Sequence, residues 1–95
     1  MKAREMFKRA NIGKIENTKV IKYGKITDNI AYEIREFNNL YTDNTTKKPM
    51  CSLSFVTQKE DDLIYSGKQC KSGNFDDLLD IILKCKKEKK IVKEE

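Results

Sequence analysis

The side chains with chemistry to offer are chiefly cations. Lys2, Arg4, Lys8, Arg9, Lys19, Lys22 and Lys25 crowd the first quarter of the chain. At that density, lysine and arginine attract phosphates whatever the base sequence, and the attraction weakens as salt rises. Tyr23, Tyr32 and Tyr65 could add base stacking if exposed. These seven cations are the candidate contacts for nucleic acid or for a partner protein. No helix-turn-helix pair, zinc finger or RNP-type aromatic motif accompanies them.

Catalysis has little to work with. The chain contains no histidine, which removes the usual general base and the Ser–His and Cys–His pairs. The four glycines, Gly13, Gly24, Gly67 and Gly73, are isolated and build no phosphate-binding loop. Glu60, Asp61 and Asp62 read as a turn, and Asp76, Asp77 and Asp80 as acids at a helix start. No catalytic residue, metal or cofactor is expected, and the chain is not expected to be an enzyme.

Three cysteines, Cys51, Cys70 and Cys85, are an odd and widely spaced set. They suit neither a disulfide framework nor a zinc site, so reduced thiols in a cytoplasmic protein are expected. Cys51 and Cys85 fall at core positions. Cys70 lies between Lys68 and Lys71, where the cations would favour its thiolate if it is exposed.

The elements that must position these groups follow from periodicity. Ala3, Met6, Phe7 and Ala10 share one face of a helix over residues 2–10, and Asn11 and Gly13 supply a stop. From Glu16 to Lys25 the period changes to that of a strand, with Val20, Ile21 and Tyr23 in it. After a turn at residues 27–29, Ile30, Tyr32 and Ile34 alternate with Ala31, Glu33 and Arg35, and the two segments form a hairpin. A polar stretch, 38–49, ends at Pro49, the chain's single proline. Cys51, Leu53 and Phe55 mark a third strand, and Leu63, Ile64 and Tyr65 begin a fourth that fades near Gly67. Asn74 is the favoured N-cap of the last helix, whose stripe is Leu78, Ile81, Ile82 and Cys85.

The order is α-β-β-β-(β)-α. Short connections favour an antiparallel sheet of three to four strands. With both helices laid on one of its faces, the expectation is an α+β two-layer sandwich. Residues 1–87 form one domain, and 88–95 a charged tail that frays.

Charge is unevenly spread along the 95 residues. Residues 1–25 carry +6, residues 26–83 carry −4 and residues 84–95 carry +3, for a net of +5. Charged residues make up 37% of the chain, against an ordinary share of about 25%. The core is correspondingly thin, which favours a partner or second copy that covers apolar surface. No segment approaches the ~20 apolar residues that span a bilayer, so no membrane contact is expected.

Ala3-Arg4-Glu5-Met6-Phe7-Lys8, then Glu16-Asn17 and Val20-Ile21-Lys22-Tyr23, resemble a class of small uncharacterised proteins from phages and mobile elements of low-GC Gram-positive bacteria. The likeness covers the first quarter of the chain; beyond Tyr23 the sequence departs from it. No activity comes with the resemblance. It implies a setting, an accessory protein of an invading element that acts on host machinery or on DNA. Two functions are therefore expected. The first is a non-enzymatic interaction protein that binds a host or element protein, with a homodimer as one version. The alternative is nucleic-acid binding through the basic N-terminal surface.

Overall fold

The computed structural model describes residues 1–10, 18–37, 50–66 and 71–92. Its elements run α1 (Ala3–Arg9), β1 (Thr18–Thr27), β2 (Ile30–Phe37), β3 (Cys51–Lys59), β4 (Asp62–Tyr65), β5 (Lys71–Gly73) and α2 (Phe75–Glu88). The strands pair antiparallel in the order β1-β2-β3-β4. Strand β5 joins β3 on the side that β4 uses, beside Cys51, Ser52 and Leu53, while β4 takes Val56 to Lys59. The molecule is an α+β fold, an open antiparallel sheet flanked by helices from the two ends of the chain.

The β1–β2 hairpin turns at Asp28 and Asn29. Thr27 Oγ1 accepts the Asn29 N–H at 3.2 Å, an ST-type turn bond. The Asn29 carbonyl accepts the Gln58 N–H at 2.7 Å, which ties the turn to β3. Between β3 and β4 the chain reverses through Glu60, whose φ of 58° lies in the left-handed region.

Residue parity along β2 and β3 divides the core in two. Tyr32 sits opposite Phe55 and Ile34 opposite Leu53. These four, with Ile26 and Cys51, pack against Leu78, Ile82 and Cys85 of α2. The alternate residues Ala31 and Val56, also opposite one another, pack against Ala3, Met6 and Phe7 of α1. The two helices thus take opposite faces of the sheet rather than sharing one. The main sandwich is the sheet with α2, and α1 covers part of the reverse face. The physical reason is Val56 and Ala31: they leave an apolar spot on the otherwise polar face, and α1 has an apolar stripe that must be buried.

Helix α2 is built as its sequence demands. The Asn74 side chain accepts the Asp77 N–H at 3.0 Å, Asp76 and Asp77 occupy the first turn, and Lys86 and Lys87 the last. Lys89 ends it with a φ of 58°, and its N–H returns to the Cys85 carbonyl. Beyond it, Ile91 and Val92 pack back on the α2-side core. Strand β5 has no counterpart in the sequence pattern. Three residues, Lys71-Ser72-Gly73, carry no apolar alternation, and backbone pairing to β3 alone defines them. The expected stop at Asn11 and Gly13, the stretch 38–49 and the fading at Gly67 lie outside the described residues.

Candidate functional site

Seven residues make α1 too short to be stable on its own, so packing must hold it. Met6 and Phe7 are buried, and the Phe7 ring meets Tyr23 of β1 at 5.7 Å between centroids, tilted by 56°. With that side committed to the sheet, Lys2, Arg4, Lys8 and Arg9 are all left exposed. Together with Glu5 they line, among the described residues, an open concavity of about 750 Å³. Arg9 donates to Glu5 at 3.0 Å, one helical turn apart, which neutralises part of the patch.

The other three candidates lie on β1, and they do not join that patch as a group. β1 shifts register between Val20 and Lys22 and again between Lys25 and Thr27. Residues 19 and 22 would point to opposite faces of a regular strand. The bulge at Ile21 re-aims the second, so that Lys19 opposite Glu36 and Lys22 opposite Ile34 share the face of α2. Lys25, opposite Ala31, projects from the face of α1. Lys19 Nζ lies 3.7 Å from Glu36, and Lys25 Nζ donates to the Asp28 carbonyl at 3.5 Å.

No described strand pairs with the outer side of β1. A ten-residue edge leaves a row of backbone donors and acceptors pointing away from the sheet. Gly24 lies within this strand, and a Cβ there would overlap the Tyr32 ring. The absence of a side chain lets Tyr32 lie flat across β1 while Lys86 of α2 places its Nζ 5.8 Å above the ring. Burial raises the Tyr32 hydroxyl above its ordinary pKa of 10.0.

A polar group on the α1 face was not singled out from the sequence. Glu33 is only 1% exposed, between Tyr23 of β1 and Ser54 of β3. Arg35, two residues along the same strand and so on the same face, donates from Nε to Glu33 Oε1 at 2.6 Å and from Nη2 to Oε2 at 3.4 Å. Its Nη1 donates to Thr18 Oγ1 at 3.3 Å. The Tyr23 hydroxyl is raised above its ordinary value, first by burial and then by the Glu33 carboxylate, to which it also donates. Nearby, the Tyr65 hydroxyl donates to Ser54 Oγ at 3.4 Å. No buried side-chain nitrogen or oxygen among the described residues lacks a partner. The signal for this group was the apolar stripe of α1: a second helix face needs a second sheet face, which takes Glu33 out of water.

The remaining groups are quieter. Cys51 and Cys85 are buried, and burial, with Glu36 nearby, pushes the Cys51 thiol up, away from reactivity. Cys70 lies outside the described residues. Glu60, Asp61 and Asp62 fall at the β3–β4 turn and Asp76, Asp77 and Asp80 on α2. Among the described residues, no three His, Cys, Asp or Glu side chains come together to hold a metal ion. No described helix is long and apolar enough to cross a membrane. No family model matches this chain, and neither does a curated protein or a solved structure.

Proposed function

We propose that this chain is a non-enzymatic interaction protein, an accessory factor of a phage or mobile element that works in the cytoplasm by binding a host or element protein. The observation that carries the reading is the ten-residue edge of β1, with no described strand on its outer side. An open edge accepts an added strand through backbone hydrogen bonds, with no catalytic group involved. Edges invite pairing, and the guards on β1 are its two register shifts and three lysines, which discourage like strands without covering the edge. The thin core adds to this, since Ile21 on β1, Ile64 on β4 and Leu83 on α2 stay exposed.

Affinity capture from a bacterial lysate, run with and without nuclease, tests the reading. A specific protein that is retained after nuclease, and lost when Lys19, Lys22 and Lys25 of β1 are changed to Glu, is the expected result. Capture that disappears with nuclease contradicts it.

A second reading, nucleic-acid binding, draws on the concavity where Lys2, Arg4, Lys8 and Arg9 face one carboxylate. Fluorescence anisotropy with a labelled oligonucleotide at low salt decides it. Micromolar binding that weakens steeply with salt, and vanishes on reversal of Lys8 and Arg9, would favour this reading. The dispersal of Lys19 and Lys22 to the other face makes the continuous positive surface smaller than seven cations suggest.

A further inference from the structure

The edge of β1 carries a charge pattern that selects what pairs with it. Thr18–Thr27 contains three lysines and no aspartate or glutamate. The Lys19 side chain stays 74% exposed despite its contact with Glu36. No described carboxylate lies within 4 Å of Lys22 or Lys25. Because the bulge sends Lys19 and Lys22 to one face and Lys25 to the other, cations flank the outer edge of β1, where no described strand pairs, on both faces.

This pattern argues against a second copy. If β1 lay antiparallel against its own counterpart with Lys22 facing Lys22, two cations would stand directly opposite, with Lys19 of each copy on that same face. No other register supplies a carboxylate, since the strand has none. Like charges directly opposite destabilise a strand pair, and lysines on an edge are a common guard against self-association. The same lysines favour a strand that brings acids.

We propose that the β1 edge docks an extended acidic segment of a partner protein, which adds a strand to the sheet and sets its Asp or Glu residues against Lys19, Lys22 and Lys25. Backbone hydrogen bonds supply the common part of the affinity, and the charges choose among extended segments. The proposal rests on the interaction reading above and specifies the partner's chemistry.

The test is a nuclear magnetic resonance titration of the full-length ¹⁵N-labelled protein with three synthetic ten-residue peptides. One repeats Glu-Glu-Thr-Thr (Glu–Thr), one Lys-Lys-Thr-Thr (Lys–Thr) and one Glu-Glu-Pro-Pro (Glu–Pro), so that an added strand carries its charges on both faces, as Lys19, Lys22 and Lys25 require. The Glu–Thr peptide is expected to shift the amides of residues 18–27 and to bind at least about tenfold more tightly than the Lys–Thr peptide. The Glu–Pro peptide has the same charge but lacks about half of its N–H groups, and is expected to leave those amides unmoved. Lys22→Glu alone should weaken the Glu–Thr peptide severalfold, and the triple reversal of Lys19, Lys22 and Lys25 should turn the preference toward the Lys–Thr peptide. A thermal melt of each variant confirms that it remains folded.

Equal binding of the Glu–Thr and Lys–Thr peptides at β1 would overturn the acidic partner while leaving an interaction edge in place. Shifts confined to α1 or α2, or no shift from any of the three at millimolar peptide, would overturn docking at this edge. Concentration-dependent dimerisation through β1 in sedimentation would replace the proposed occupant by a second copy.

Discussion

The two faces of the sheet are made of different material. Toward α2 lie Ile26, Tyr32, Ile34, Leu53 and Phe55, an apolar layer closed by Leu78, Ile82 and Cys85. Toward α1 lie Ala31 and Val56, with Glu33 and Arg35 beside them, under a helix of only seven residues. Apolar burial scales with area, so the α2 face carries most of the stability. The α1 face buries an ion pair whose desolvation offsets much of its attraction. That pair fixes where Tyr23 and Thr18 of β1 stand, and so helps hold the edge strand in place. One face keeps the chain folded, and the other sets the geometry of the strand proposed to bind.

Neighbouring residues give the strongest way to break this contrast. Phe55 and Val56 are adjacent, both buried, and on opposite faces. Phe55→Ala is expected to cost ~3–5 kcal/mol in urea unfolding, and Val56→Ala about 2 kcal/mol for its two lost methyl groups. Equal costs would mean that the faces share the load. On the α1 face the largest effect is expected from Arg35→Ala, about 3 kcal/mol, because it strands the buried Glu33 carboxylate. Replacing both residues, Glu33→Leu with Arg35→Leu, should recover most of that loss. No recovery in the double variant would show the pair to be a true source of stability.

Gly24 tests how the edge strand is held from the other side. Gly24→Ala pushes a methyl group into the Tyr32 ring, and a loss of ~1–3 kcal/mol is expected from the displaced packing. A neutral outcome would mean that Tyr32 does not clamp β1. The smallest effect is on pH dependence. Tyr23 and Tyr32 both have pKa values raised above 10.0. Their contribution is full below the unfolded value and is lost as pH rises through the folded ones. Thermal melts between pH about 9 and 11 should therefore show falling stability, less steeply in Tyr23→Phe and Tyr32→Phe. An unchanged slope in both variants would contradict the assignment.

Much of the fold was legible because its signals are local. Ile30, Tyr32 and Ile34 show the strand period, and Asn74 with Asp76 and Asp77 announces α2 before its apolar stripe begins. What escaped was decided by long-range contacts. The alternation of Glu33 and Arg35 reads as a solvent face, and only the docking of α1 through Met6 and Phe7 makes it an interior. The spacing of Lys19, Lys22 and Lys25 puts Lys22 alone on one face of a regular strand, and the bulge at Ile21 instead groups it with Lys19 and leaves Lys25 on the other face. Lys71–Gly73 becomes a strand only because β3 offers it a partner. The candidate cations were visible as residues, but their grouping depends on register, which no local pattern encodes.

The central claim is that β1 is the contact edge. Amide hydrogen exchange, measured on the protein alone and with the captured partner bound, tests it most directly. Protection of residues 18–27 should rise by at least about tenfold, with α1 and the exposed side of α2 unchanged. Protection that grows over Ala3–Arg9 or Phe75–Glu88 while β1 exchanges as before would place the contact elsewhere and contradict the account.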